Sequence, residues 1–379
     1  MTSDELARVH AMAAALRRQH PLVAALGLRL DDVAVVVRSN DGALLDDLRA
    51  YFGPSFVDDA VIGDAAAIEI VALDGQAPAL DGLELTVRPP EPGKSSIKEA
   101  YVDLEDGRII RKLKTGVVFL VGGGLHLAIG ACRRWQNQII NFINNRFIEA
   151  RMRDGWILCH AAAVARGDRG LVLAGFSGMG KSTLALHMME HGLDYVSNDR
   201  LLIRAPASGR AGALDACGVP KLPRINPGTA LSLDRLRSIV PAARRAEYDA
   251  METGELWAIE EKYDVDVDAA YGAGRIRLTT PVQTLMILNW ERGVGACEIR
   301  RVDLRARPEL LAVVMKTAGL FYEEEEGAPP AEPVAERYLE LFADVGVFEL
   351  AGGVDFAAAV EFGRTRLGDP AAQGGASAS

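Results

Sequence analysis

Gly175-Phe-Ser-Gly-Met-Gly-Lys-Ser-Thr183 fits the pattern G-x-x-x-x-G-K-[ST], and its flanks decide how that pattern is read. Upstream, Gly170-Leu-Val-Leu-Ala174 is an apolar run of the length of a buried strand. Downstream, Leu184, Ala185, Met188 and Met189 recur at helical spacing, and Gly192 supplies a C-terminal stop. Strand, glycine loop and helix form the geometry that holds a phosphate. Gly175, Gly178 and Gly180 let the backbone bend so that the N–H groups of Ser177, Met179 and their neighbours face phosphate oxygens. The helix N-terminus adds partial positive charge, Lys181 reaches the β- and γ-phosphates, and Ser182, followed by Thr183, offers a hydroxyl to Mg²⁺. The chain is therefore expected to bind a nucleoside triphosphate or a related phosphate.

Composition narrows the setting. The chain has 379 residues and a formal charge of −10, which gives no bulk electrostatic case for nucleic acid or an anionic membrane surface. Cys132, Cys159, Cys217 and Cys297 are scattered without a C-x-x-C pair, so neither a zinc site nor a disulfide framework is expected, and a reducing cytoplasm fits. The N-terminus starts acidic and lacks a signal pattern, and no apolar run reaches the ~18 residues of a membrane span.

Punctuation divides the chain into an N-terminal α/β accessory module over 1–98, a phosphate-loop domain over 99–368 and an Ala/Gly/Ser-rich tail over 369–379, expected to be disordered. In the first part, Leu6, Val9, Met12, Ala13 and Leu16 lie on one helical face, strands are predicted at 28–30, 33–37 and 67–72, and a helix over 43–51. Residues 76–98, rich in proline, read as a linker. Glu105-Asp-Gly107 and Gly122-Gly-Gly124 read as hairpin turns, the latter because no helix start or Lys-Ser pair follows it. A long helix is predicted over 133–152, carrying Asn137, Asn141, Asn144 and Asn145. Residues 156–164 and 170–174 form a hairpin that delivers the phosphate loop. Leu193 to Asp199 reads as a strand, with Leu201–Arg204 as its partner. The proline-rich segment Gly218 to Thr229 argues against helix and central strand, residues 282–289 read as a core strand, and helices are expected over 310–318 and 334–342. The acidic run Glu323–Glu326 reads as a solvated loop.

The usual companion of a phosphate loop is an apolar strand ending in Asp. Here Tyr195-Val-Ser-Asn-Asp199 is the candidate, and it follows the loop's helix directly; the strand at 285–288 ends instead at Asn289. At this point the block from His160 to Ile203 resembles the HPr kinase/phosphorylase family, whose catalytic domain is similar to the P-loop domain of phosphoenolpyruvate carboxykinases. The matching residues are His160, Gly175-Phe-Ser-Gly-Met-Gly-Lys-Ser182, the short helix ending in Gly192, and Asn198-Asp199-Arg200, where the family reads Asp-Asp-Arg. The closest resemblance is to the HPr-kinase-related proteins labelled kinase B. These share Pro220-Lys-Leu-Pro-Arg-Ile-Asn-Pro-Gly-Thr229 and Asn141-Phe-Ile-Asn-Asn-Arg146, over roughly residues 100–360.

The resemblance implies an α/β fold of the phosphoenolpyruvate-carboxykinase/HPr-kinase type, ATP- and Mg²⁺-dependent phosphoryl transfer to a hydroxyl on a protein or small molecule, and reverse phosphorolysis. It is also compatible with a homo-oligomer. It assigns Lys181 to clamp phosphate, Ser182 and Asp199 to bind metal, and His160 and Arg200 to the catalytic group. The family's base aligns with Asn198, whose amide cannot take a proton, so either Asp199 does both base and metal work or the chemistry differs. The family's Glu metal ligand is absent; in its place stand Lys221 and Arg224, suited to a phosphorylated substrate. Lys262 and Asp264 are weaker candidates in a mixed-charge surface run. A regulatory NTPase and a pseudokinase stay as alternatives, because both would keep the phosphate loop without transfer.

Overall fold

The computed structural model describes residues 8–90, 96–207, 209, 211–251, 253–259, 261–324 and 327–369; the expected tail beyond Asp369 and the residues Glu325 and Glu326 of the acidic run lie outside them. The chain is mixed α/β and divides into two compact units. One holds the described residues up to Ala150 with Ala318–Ala331, and the other holds Arg151–Thr317 with the described residues from Glu332 onward.

The first unit is built on eight strands: β1 (Ala24–Leu30), β2 (Val33–Ser39), β3 (Ile68–Asp74), β4 (Thr86–Val87), β5 (Glu99–Leu104), β6 (Gly107–Lys112), β7 (Val118–Gly122) and β8 (Leu125–Gly130). They pair in the order β1-β2-β3-β8-β7-β6-β5-β4. The hairpins from Glu99 to Gly130, expected with the phosphate-loop domain, thus belong to the first sheet. β3 lies parallel to β8, with Val71 opposite Leu127, and that pairing joins the two halves. Helix α1 (Val9–Gln19) buries Val9, Met12, Ala13 and Leu16 against Val71, Leu73, Val118, Leu120 and Leu127. Its first N–H groups have no cap of their own. The carboxylate of Asp106, in the β5–β6 turn, accepts from Val9 N at 2.8 Å and His10 N at 3.0 Å. Helix α2 (Gly42–Phe52) is capped by Asp41, and α3 (Gln136–Arg153) closes the unit. Glu323, expected in a solvated loop, is instead held by Arg146, whose side chain is 1% exposed, at 3.1 Å. A guanidinium so deeply buried requires carboxylate partners, and Glu149 is the second, at 2.9 Å.

The second unit carries β9 (Ile157–Cys159), β10 (Ala161–Arg166), β11 (Arg169–Gly175), β12 (Asp194–Ser197), β13 (Leu201–Arg204), β14 (Leu214–Gly218), β17 (Thr279–Glu291), β18 (Cys297–Arg301) and β19 (Gly346–Gly353). A separate ribbon pairs β15 (Arg224–Ile225) with β16 (Tyr263–Asp264). The main path runs β12-β10-β11-β17-β14-β13-β9. The long β17 pairs parallel to β11 on one side; on the other its start pairs with β14 and its remainder with β19. β11 alternates as a two-sided strand must. Leu171 and Leu173 pack with Leu184, Ala185 and Met188 of α4 (Lys181–Glu190), while Val172 and Ala174 face a second core with Leu285, Ile287, Leu310 and Val314.

Between them lie α5 (Pro227–Ser232), α6 (Ala242–Tyr248), α7 (Thr253–Ala258) and α8 (Val267–Tyr271); α9 (Ala335–Phe342) and α10 (Phe356–Arg366) follow. A third core joins Leu186 and Met189 on the outer side of α4 to Ile225, Ala230, Leu236 and Val265.

Three expectations are corrected here. β13 does not pair with β12: it lies between β14 and β9, while β12 pairs with β10. The Ser197 hydroxyl donates to the Arg200 carbonyl across the turn, and Gly218 at the end of β14 sits so close to Val196 that a Cβ would lie 1.9 Å from its carbonyl oxygen. β13 therefore leaves toward β14. The proline-rich segment, expected to avoid helix, starts α5 at Pro227, because proline at the first helical position loses no hydrogen bond and Asn226 caps Thr229 N at 2.9 Å. Residues 310–318 form a 3₁₀ turn over Pro308–Val313 in place of an α-helix.

Candidate functional site

Sheet register gathers the sequence-predicted residues of the second unit at one end of its strands. Ala161 of β10 pairs with Ala174 of β11, which sets His160 beside Gly175, where the glycine loop begins. Ala163 of β10 pairs with Ser197 of β12, so Asn198, Asp199 and Arg200 emerge at the same end. Leu288 of β17 pairs with Gly175 from the other side.

The loop from Gly175 leads directly into α4. Gly178 and Gly180 adopt φ of 88° and 90°, left-handed values that favour glycine. At Gly180 a Cβ would also lie 2.9 Å from the Phe356 ring, so the loop is pressed on that side. The ring of Phe356 stacks on His187 and meets Trp290 edge-on, and the Trp290 indole donates to the Met179 carbonyl at 2.9 Å. An aromatic cluster thus holds the loop in place. Lys181 is buried (7% exposed) and folds its ammonium back onto the loop, donating to the carbonyls of Gly175 at 2.6 Å and Phe176 at 3.3 Å. Ser182 follows at the first turn of the helix. Thr183, expected among the phosphate-binding residues, points elsewhere: its hydroxyl pairs with that of Thr229 at 2.7 Å, both residues buried.

Facing the loop's start, His160 Nε2 lies 3.2 Å from Asp199 Oδ1, with the carboxylate side chain 57% exposed. Burial of its surroundings raises the Asp199 carboxyl. The His160 hydrogen bond and the charges of His160, Arg200 and Lys316 outweigh that and hold it well below the usual carboxylate range. Asp199 is therefore a carboxylate at neutral pH. Lys316 was not legible as a site residue. Nothing in Val314-Met-Lys316 marks it; it arrives because His160 N donates to Val314 O at 2.7 Å and Met315 bridges Cys159. Asn198, at the position of the resembled family's base, has a buried Oδ1 that accepts no hydrogen bond.

The segment of Lys221 and Arg224 is fixed beside this end. Tyr195 of β12 donates its hydroxyl to the Lys221 carbonyl at 2.9 Å, and Arg224 sits opposite Asp264 in the β15–β16 ribbon, its Nε 3.0 Å from the carboxylate. Burial, and then the positive charge of Arg200, pull the Lys221 ammonium down to about 8, with Arg224 adding to the effect against Asp199 and Asp264. Gly228 lies flat on Trp257, where a Cβ would approach the indole to 2.8 Å, and the Arg292 guanidinium covers the same ring at 4.4 Å.

The donor set fits a phosphate chain with Mg²⁺. The loop supplies left-handed glycines, a helix N-terminus and an ammonium. No cluster of three His, Cys, Asp or Glu side chains stands ready for a metal among the described residues. Mg²⁺ keeps several waters and takes one or two protein ligands, and Ser182 and Asp199 are the residues that would hold it.

No family model and no curated protein matches the chain. Among solved structures, it is similar to the HPr(Ser) kinase/phosphatase from Coxiella burnetii, at 10% sequence identity over 55% of this chain and 88% of that one, with a TM-score of 0.29. Among the described residues no helix is long and apolar enough to cross a membrane.

Proposed function

We propose that the chain is an ATP- and Mg²⁺-dependent kinase of the HPr-kinase-like type, transferring phosphoryl to a hydroxyl on a protein or small molecule. The observation that carries this reading is the convergence of the Gly175–Ser182 loop, with Lys181 at its helix N-terminus, and the His160–Asp199 pair at one end of the sheet. Phosphoryl transfer asks little covalent chemistry of a protein and much positioning and charge. In this reading Lys181 and the loop N–H groups hold the β- and γ-phosphates. Ser182 and Asp199 would hold Mg²⁺, which would supply positive charge against the transferred group. Asp199, kept ionised by His160, orients the acceptor hydroxyl and takes its proton, and Arg200 faces the equatorial oxygens.

A second reading rests on Asn198. An amide in place of a carboxylate, with its oxygen buried and unpartnered, fits a nucleotide-binding regulator or slow NTPase that transfers to nothing. Incubation of the protein with γ-labelled ATP, Mg²⁺ and a cell lysate separates the two. Label on a protein or metabolite, lost in Lys181→Ala, is the result expected of a kinase. Free phosphate alone, or no turnover, refutes transfer.

A further inference from the structure

Arg292 belongs to no group assigned so far. It follows β17 directly and is exposed. Its guanidinium carbon lies 4.4 Å from the centre of the Trp257 ring, and it makes no ion pair or hydrogen bond with any described residue. Two chains of contacts place it. Along the sheet, Leu288 pairs with Gly175 at the start of the glycine loop, and Trp290 donates to the Met179 carbonyl within that loop at 2.9 Å. Arg292 is two residues further on, so its Cα lies at most about 7 Å from that of Trp290. From the other side, the Trp257 ring packs on Gly228, where a Cβ would approach it to 2.8 Å, and the Trp257 carbonyl accepts from Asn226 at 3.4 Å. The residue after Gly228 is Thr229, whose hydroxyl meets that of Thr183 in the first turn of α4 at 2.7 Å. Met179 and Thr183 bracket Gly180-Lys-Ser182, the N-terminus of α4. Arg292 is thus fastened to one anchor on each side of the helix end on which a phosphate chain would sit.

We propose that Arg292 is a further cation of the nucleotide site, held by Trp257 so that its guanidinium takes oxygens of the bound phosphate chain. This rests on the reading of Gly175–Ser182 as a phosphate loop. A guanidinium presents its N–H groups as a planar fork that matches phosphate oxygens, and stacking on an indole steadies its plane without using those donors. Lys181 comes to the phosphates from the helix; Arg292 comes from the end of β17.

The test is isothermal titration of the full chain, in Mg²⁺, with AMP-PNP and separately with inorganic tripolyphosphate. Arg292→Met keeps an apolar cover on Trp257 and removes the charge. It should weaken both ligands about tenfold, the loss of one charge-assisted hydrogen bond, with the thermal midpoint unchanged. Arg292→Lys, which keeps the charge, should lose less. Trp257→Leu should weaken tripolyphosphate binding in the parent chain and add nothing to Arg292→Met. Unaltered affinity in Arg292→Met overturns the proposal. So does a loss confined to AMP-PNP, which would put the guanidinium on the nucleoside instead. Additive losses from Trp257→Leu and Arg292→Met overturn the role of the ring. The parent chain keeps the two readings apart. Binding of tripolyphosphate without AMP-PNP ends the nucleotide reading, and Arg292 is then decided by tripolyphosphate alone; binding of neither ends both.

Discussion

The hydroxyl pair Thr183–Thr229 links the phosphate-loop helix to the proline-rich segment, and its worth can be measured by a double-mutant cycle. The two oxygens are 2.7 Å apart, in residues 4% and 3% exposed. Thr183→Val keeps the volume and removes one partner, stranding the Thr229 hydroxyl away from water. The same holds for Thr229→Val in reverse. A buried hydroxyl left unsatisfied costs about 1–3 kcal/mol, so each single variant should lose about 2 kcal/mol. The double variant removes both polar groups and replaces them with methyls in contact, which is nearly neutral by the same argument. The singles should therefore sum to about 4 kcal/mol and the double fall by less than about 1, giving a coupling near the upper end of that seen for touching residues. The assay is urea unfolding read by tryptophan fluorescence, since Trp156, Trp257 and Trp290 all lie in the second unit. For m near 2 kcal/mol/M, each single variant should move the midpoint down by about 1 M. A double variant that loses the sum of the singles would show that the hydroxyls are not partners. Because the Thr183 side chain faces Thr229, Thr183→Val should also leave Mg·ATP affinity within about threefold, unlike Ser182→Ala, measured by isothermal titration; a loss as large as that of Ser182→Ala would refute the orientation described here.

Three other predictions follow from single contacts. Gly178→Ala meets only backbone strain at φ 88°, whereas Gly180→Ala also drives a methyl to 2.9 Å from Phe356; nucleotide affinity should fall more for Gly180→Ala, and Phe356→Leu should restore part of that difference. Glu349, fully buried on β19, accepts from Asn289 at 2.8 Å, Arg300 at 2.9 Å and Arg307 at 3.2 Å. Burial raises its carboxyl, but these bonds outweigh that and keep it below its ordinary 4.5. The stabilisation is thus complete above that value and lost as pH falls through the depressed one, so Glu349→Gln should cost about 2 kcal/mol at neutral pH and converge with the parent chain on acidification in urea titrations. Asn198→Asp puts a charge where Oδ1 is buried without a donor; a lowered thermal midpoint that recovers at acidic pH is expected, and an unchanged midpoint would contradict the burial.

Much of the candidate site is legible because the glycine-loop pattern is local. Glycines, lysine and hydroxyl occur within nine residues, and a strand and a helix of opposite periodicity frame them. The hairpin turns at Glu105–Gly107 and Gly122–Gly124 were readable for the same local reason: β5 pairs with β6, and β7 with β8, across them. What failed was non-local. The boundary at residue 98 followed a proline-rich stretch, yet parallel pairing between β3 and β8 carries the first unit beyond it, and no local pattern encodes a parallel partner. Leu201–Arg204 reads as the partner of its nearest neighbour in sequence, yet β13 pairs with β14 and β9, partners remote in sequence. Lys316 joins the site through a backbone bond from His160, which no side-chain pattern announces. Glu323 looked like one of a solvated run until Arg146 claimed it from 177 residues away.

The proline-rich segment changes most between sequence and structure. Read alone, prolines at 220, 223 and 227 argue against a helix or central strand and point to an ordered loop or an active-site flap. In the fold the segment is tethered from several sides. Tyr195 reaches Lys221 from β12, the strand that leads to Asp199. Thr183 reaches Thr229 from the first turn of α4. Trp257, under Arg292 at the end of β17, clamps Gly228, while Trp290 of the same strand holds the Met179 carbonyl. Hydrogen bonds thus tie the proline-rich segment to β12 and to α4, the helix that the glycine loop enters. Disrupting the Thr183–Thr229 contact should therefore loosen the proline-rich segment more than the glycine loop itself, as read by amide hydrogen exchange.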